Sequence, residues 1–347
     1  MKMNVTAINS ALKTGAVRSC VGDGMVGDAI ATSGLAFLRG ELEKRDPKLL
    51  EPLTNVSYFK DIDVVPGGGF VDYTSNMFVD YSSVGGNQGG NDYGIIGGQT
   101  NGIPTIQANV SKDVYKVFTW GNNMKVSFVD NEKYMNTGST KSLDQMYNDG
   151  IRLNFNKALD QNAYVGFANY GTYGLVNSSN VTAAAVANNA GATSKLWSAK
   201  TPVEILKDVN DIINAAYAAS EYDESAVPDH MLIPPAQFAY IQITPVTTAG
   251  SESILSYILR NNLSANFGKK LTIRPCRWCI GAGASAADRM VAYAMNEKFV
   301  NFDLTVPLTR IMTAPSVEAQ AYLTAFAGQI GQVKYLYPTT ARYGDGI

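Results

Sequence analysis

A single histidine, His230, serves a chain of 347 residues. Every catalytic scheme that needs two imidazoles is excluded, and any triad has to pass through that one residue. Its setting, Asp229-His230-Met231-Leu232-Ile233, reads as a loop leading into a buried strand. There a satisfied structural histidine is far commoner than a general base, and no G-x-S-x-G elbow accompanies it. Cysteine is nearly as scarce: Cys20, Cys276 and Cys279 are too few for a disulfide framework, which fits a reducing compartment. Charge is low too, 17% of residues against 46% hydrophobic, so much of the surface is expected to be uncharged interface. A net charge of −2 and a pI near 5.6 exclude a protein that coats nucleic acid by neutralising phosphates. Any DNA contact is then local. Lys2, Lys13 and Arg18, ahead of the first acid at Asp23, are one candidate, with a short solvated tail as the plainer reading. No run approaches the roughly 20 apolar residues that span a bilayer, and the N-terminus has no continuous apolar h-region. A cytoplasmic, unexported protein is expected, and the chance sequons at Asn55 and Asn180 carry no weight.

What is present is patterned for association. Residues 1 to 33 are small, polar and dotted with glycine, and predict an extended arm without a core of its own. A helix follows Ser33, with Leu35, Leu38 and Leu42 on one stripe and Arg39, Glu41, Glu43 and Lys44 on the other, ending at Pro47. From Phe70 to Tyr81 the period falls to two, setting Val71, Tyr73, Met77, Val79 and Tyr81 against Asp72, Thr74, Asn76 and Asp80. Residues 84 to 102 hold eight glycines, a tip that cannot pack a core. Ile106, Ala108 and Val110 alternate again, so the chain is predicted to return beside itself as a long hairpin. An isolated two-stranded ribbon is marginal in water, and support from outside the subunit is expected.

Val114 to Phe128 reads as a further strand carrying Trp120. Ser142 and Gln145 then form a capping-box signature. Behind them Leu143, Met146, Tyr147, Ile151, Phe155, Ala158, Leu159 and Ala163 recur at helical spacing. Roughly 24 residues at about 1.5 Å each make a spine of about 36 Å. Residues 170 to 200 read as an Ala-, Asn-, Ser- and Gly-rich surface loop. Thr201-Pro202-Val203-Glu204 starts a second helix with Leu206, Val209, Ile213, Ala216 and Tyr217 on its buried face. A strand at Met231 to Ile233, a Pro-Pro break, a short helix around Ile254 to Leu259, and strands near 271 to 280 and 289 to 295 follow. Two β segments between Tyr322 and Tyr337 close the order, which is mixed α+β without a fixed repeat.

Candidate chemistry is thin. Cys276-Arg277-Trp278-Cys279 has the spacing of redox and zinc sites but no second Cys or His pair and no helix start, so two partly buried thiols are the expectation. The glycine-rich tip lacks a following GK[ST], and flexibility explains its composition better than phosphate binding. Asp61 with Asp63, and Asp208 with Asp211, read as solvated acids. No catalytic residue, metal site or cofactor is assigned, and the chain is not expected to be an enzyme.

The order of arm, arm helix, Gly-tipped hairpin, spine helix, α/β lobe and terminal strands resembles the Hong Kong phage capsid fold. That fold is shared by tailed-phage major capsid proteins and encapsulin shells. Leu35 to Leu53, Gly102 to Phe128, Leu143 to Gly166 and Val333 to Ile347 carry the resemblance to a phage major-capsid family. The resemblance implies an N-terminal arm over 1–60, an extended β-hairpin loop over 61–111 reaching onto a neighbour, and a peripheral domain with the spine helix over 112–199. An α/β axial domain over 200–295 and strands returning to the peripheral domain over 296–347 complete it. It implies hexamers and pentamers closing an icosahedral shell around double-stranded DNA, contacted non-specifically, in the virion, after assembly in the bacterial cytoplasm. A portal is an implied partner, and scaffolding or decoration proteins are separate chains where they occur; no membrane is involved. Subunit-interface candidates are Leu38, Arg39 and Glu41 in the arm, Tyr73 and Tyr81 on the ribbon, and Gly85, Gly86, Asn87, Asp92 and Tyr93 in the tip. An encapsulin-type nanocompartment and a phage tail-tube protein are the alternatives.

Overall fold

The structure, a computed structural model, describes residues 55–84, 105–135, 141–247 and 252–347, together with Pro52 and Gly250. Every element below lies in the unit Thr54–Ile347. The arm, the arm helix and the glycine-rich tip fall outside the described residues. In chain order β1 (Asp63–Pro66), β2 (Tyr73–Val84), β3 (Thr105–Lys116) and β4 (Phe118–Ser127) precede α1 (Phe128–Met135) and α2 (Leu143–Tyr164). Next come β5 (Ala183–Ala185), α3 (Pro202–Ala219), β6 (His230–Ile233), α4 (Pro235–Ile243), α5 (Ile254–Arg260) and α6 (Leu263–Asn266). The chain ends with β7 (Thr272–Pro275), β8 (Arg289–Tyr293), β9 (Val300–Leu304), β10 (Val306–Ser316), β11 (Ala321–Ile330), β12 (Val333–Tyr335) and β13 (Arg342–Asp345). These strands make sheets ordered β1-β9-β12, β10-β11-β4 and β5-β13-β8-β6-β7, with β2-β3 as a separate ribbon.

The spine helix starts as its sequence dictates. The Ser142 hydroxyl accepts from the Gln145 N–H, and the Gln145 side chain accepts from the Ser142 N–H, so two otherwise orphaned donors are satisfied. Its first half lies on the three-stranded sheet, with Ile151 packed among Met124, Val126 and Phe326. Its second half, from Phe155 to Tyr164, runs into the main core beside Phe302, Tyr293 and Tyr335. Close approach depends on Gly328 of β11, which faces Trp120 in the ladder. A Cβ at Gly328 would lie 2.9 Å from the Phe155 ring, so only glycine lets the helix settle there.

The centre of the five-stranded sheet, β6 and β8, is buried on both faces. Met231, Ile233, Met290 and Ala292 meet Ile205, Val209, Ile212 and Ile213 of α3, while Leu232, Val291 and Tyr293 face the main core. This is why β6 and β8 read as continuous apolar runs. Each such side chain contributes about 1.5–3 kcal/mol of burial.

Four expectations are revised. The strand read over Val114 to Phe128 breaks at Val117, whose N–H goes to the Asp72 carbonyl; the first part completes the ribbon and the second pairs with β11. The 170–200 segment is more than a surface loop. Leu175, Val176, Val181 and Trp197 are buried, and the Tyr335 and Tyr343 hydroxyls both donate to the Leu175 carbonyl at 2.6 and 2.8 Å. Isolated apolar anchors without a period left no signal there. The Pro-Pro break is a helix start, with Pro235 at the first position of α4, where its missing N–H costs nothing. The strand near 271 to 280 stops at Pro275, and Arg277–Cys279 makes a single 3-10 turn.

Candidate assembly surface

The β2–β3 ribbon turns its apolar face outward. Pairing is continuous from Tyr73↔Lys116 to Val84↔Thr105. Strand alternation therefore places Tyr73, Met77, Val79 and Tyr81 on one face with Ile106, Val110 and Val114 from the partner strand. Their exposure runs from 51% at Val79 to 74% at Ile106. The opposite, more polar face rests on the body. Phe78 meets the Tyr337 ring edge-on at 6.3 Å, and the Lys334 ammonium sits 5.2 Å from the centre of the Tyr115 ring. Lys334 is itself ion-paired with Asp303, which fixes the cation under the ribbon's base. Tyr73 and Tyr81 thus stand on the outer face. The other interface candidates, Leu38, Arg39, Glu41, Gly85, Gly86, Asn87, Asp92 and Tyr93, lie outside the described residues.

A second apolar area went unread in the sequence. Ile311, Met312, Val317 and Tyr322 at the β10–β11 end are exposed, as are Phe128, Val129 and Met135 of α1. Pro307 and Pro315 hid β10, yet β10 is a sheet edge, where proline is tolerated. Recognising that rule was the available signal.

Inside, ionisable groups hold the body together. Asp61 and Asp208, read as solvated acids, are buried. The Asp61 carboxylate accepts from the Tyr164 hydroxyl and pairs with Arg274, with His230 Nε2 at 3.5 Å, while its carbonyl accepts from the Tyr293 hydroxyl. Burial, reinforced by the Asp61 charge, pushes both tyrosine hydroxyls well above their ordinary value, so they stay neutral donors. Asp208 accepts from Lys200 at 2.5 Å and from the Trp197 indole at 3.1 Å. Burial raises its carboxyl, and these partners oppose the rise only in part. Asp160 on α2 collects four donors: the Ser57 and Tyr58 N–H groups at 3.0 and 3.3 Å, Arg277 at 3.0 Å and the Trp278 indole at 3.1 Å. Arg289 grips Asp345 through two bonds of 2.6 and 3.0 Å and lies 4.5 Å from the Tyr343 ring centre. Burial pulls the Asp345 carboxyl up, but the Arg289 and Ala284 hydrogen bonds outweigh it and leave it below the usual carboxylate value.

Each of these carboxylates is hydrogen-bonded or ion-paired: Asp61, Asp160 and Asp345 take partners from distant stretches of chain, and Asp208 takes Lys200 and Trp197 just upstream. Cys276 and Cys279 are free thiols, more deeply buried than expected at 3% and 0% exposure. Among the described residues no three His, Cys, Asp or Glu side chains are grouped to hold a metal ion, and no helix is long and apolar enough to cross a membrane.

The described residues carry an outward-facing apolar ribbon on a packed body, and this fold is that of capsid subunits. The chain is similar to the structure described as the capsid of Myoviridae phage XM1, with a TM-score of 0.72 at 17% identity over 89% of this chain and 98% of that one. It is similar to the capsid of a native GTA particle, with a TM-score of 0.56 at 11% identity over 92% and 99%. A third similar structure is the capsid of cyanophage P-SCSP1u, with a TM-score of 0.53 at 13% identity over 88% and 92%. No curated protein sequence matches the chain. Residues 92–347 match the model of the family described as Major capsid protein, and the chain belongs to that family. The fold and function inferred from the resemblance are those of a tailed-phage-type major capsid protein, and the encapsulin and tail-tube alternatives are not favoured.

Proposed function

We propose that many copies of this chain close hexamers and pentamers into an icosahedral shell around double-stranded DNA, as a structural protein and not an enzyme. The observation that carries this is the outward apolar face of the β2–β3 ribbon, which a lone subunit leaves in water. In this reading residues 1–60 form the arm, and 61–111 lie on a neighbouring subunit, with Tyr73 and Tyr81 in that interface. Residues 112–199 and 296–347 build the peripheral domain, and 200–295 form the axial domain. Apolar burial shared among many copies would hold the shell, with little resting on any single contact. The net charge of −2 suits loose, non-specific contact with packaged DNA. Assembly would take place in the host cytoplasm, with a portal and, where needed, separate scaffolding and decoration proteins.

The test is electron microscopy of the expressed chain, with a scaffold added if assembly requires one. Closed shells are expected from the unaltered protein, and tubes or persistent monomers would overturn the reading. Met77→Asp combined with Tyr81→Asp should abolish shells while subunit melting stays within about 0.5 kcal/mol of the parent, because both side chains already face solvent.

A further inference from the structure

Cys276 and Cys279 play no part in the assembly reading, yet they are placed as a pair. Cys276 immediately precedes the 3-10 turn Arg277–Cys279, and the Cys279 N–H donates to the Cys276 carbonyl at 3.3 Å. A reversal of this kind keeps the first and fourth Cα atoms within about 7 Å, overlapping the roughly 4.4–6.8 Å window that a disulfide needs. The Cys276 side chain and burial together push the Cys279 thiol well above its ordinary value, which leaves Cys276 as the thiol that ionises first. Between them stand Arg277 and Trp278, the two side chains that grip Asp160 of the spine helix.

We infer that Cys276 and Cys279 form a redox-modification site, a dithiol that closes to an intrachain disulfide with a small-molecule disulfide as oxidant, locking the turn that holds Asp160. Cys276, the less buried of the two, is the attacking sulfur. Its thiolate displaces one thiol from the oxidant and forms a mixed disulfide. Cys279 then loses its proton and attacks the Cys276 sulfur, releasing the second thiol. Two protein thiols give up two electrons and two protons, and the oxidant is reduced to two thiols. Access needs only a local opening, since the Arg277 side chain is 55% exposed and Ile280 lies at the surface. In a reducing cytoplasm the pair remains as thiols; oxidising surroundings close it.

The probe is oxidised glutathione, applied to the full-length protein both as subunit and as assembled particle, followed by N-ethylmaleimide under denaturing conditions and peptide mass spectrometry. The expected product joins Cys276 to Cys279, two hydrogens lighter and unalkylated at both, with a melting temperature raised by about 2–4 °C. Cys279→Ser should instead retain glutathione on Cys276, and the Cys276→Ser, Cys279→Ser double variant should lose the melting shift. Complete alkylation of both thiols after excess oxidant, or linkage to Cys20 or to a second chain, would overturn the site. Closure with unchanged melting would overturn the lock. Should the serine variants fail to fold, mapping on the unaltered protein alone decides between these outcomes.

Discussion

The antiparallel β2–β3 ribbon and the mixed five-stranded sheet put backbone pairing to opposite ends. In the sheet, β6 and β8 bury every residue, and successive side chains enter two different cores. In the ribbon, every residue from Thr105 to Asp113 is exposed, and the apolar face looks away from the body. Hydrophobicity alone therefore does not mark the core; what matters is whether a second layer exists to receive it. The sheet carries the subunit's own stability. The ribbon leaves its apolar area in water.

The comparison breaks most visibly if paired truncations behave alike. Phe302→Ala, in the main core, should cost about 3–5 kcal/mol in denaturant unfolding. Met77→Ala on the ribbon should stay within about 0.5 kcal/mol. Equal costs would mean that the ribbon has a hidden core of its own. A middle-sized effect comes from alkali. Burial is the main reason the Tyr343 hydroxyl is pushed up to about 12 from an ordinary 10.0. Its folded value is the higher one, so its contribution is complete below pH 10 and is lost as pH rises from 10 through 12. Tyr343 alone should lower stability by about 2 kcal/mol across that window, and Tyr164 and Tyr293, raised in the same direction, add to the fall, which unfolding midpoints at stepped pH follow. A flat profile would show that the tyrosine ionises without opening the body. The smallest effect belongs to Ser142→Ala, which should cost about 1 kcal/mol and fray the start of α2 without touching either sheet.

Legibility in the sequence followed the range of the interactions. The ribbon's alternation and the Ser142 and Thr201 capping boxes were readable because residues within a few positions determine them. On α3 the stripe through Val209, Ile213 and Ala216 was readable, whereas Ile205 and Ile212 were missed because the helix is covered over a wider arc than one neighbour requires. Asp208 was missed although its partners Lys200 and Trp197 stand only 8 and 11 residues upstream, because no motif marks them, and Asp61 defeated local reading entirely. Nothing nearby in the chain tells Asp61 that Arg274 and Tyr164 will meet it. Ribbon residues Tyr73 and Tyr81 were identified from alternation, but that they face away from the body depends on Tyr337 and Lys334, more than 200 positions downstream.

Asp160 has a consequence in time as well as in space. It ties Ser57 to Arg277, with sequence separations of 103 and 117 residues on its two sides, so the node closes only after most of the chain has left the ribosome. All of the ribbon's rungs lie upstream of Lys116, so its two strands are out of the ribosome long before the node can close. Contacts of long separation form slowly, and short-range ones form first. Alone the ribbon is marginal, and the residues that seat it on the body, Tyr337 and Lys334, come last. Closure of the Asp160 node and the seating of the ribbon therefore both wait for the last part of the chain, and the subunit is finished only when its C-terminal strands are in place.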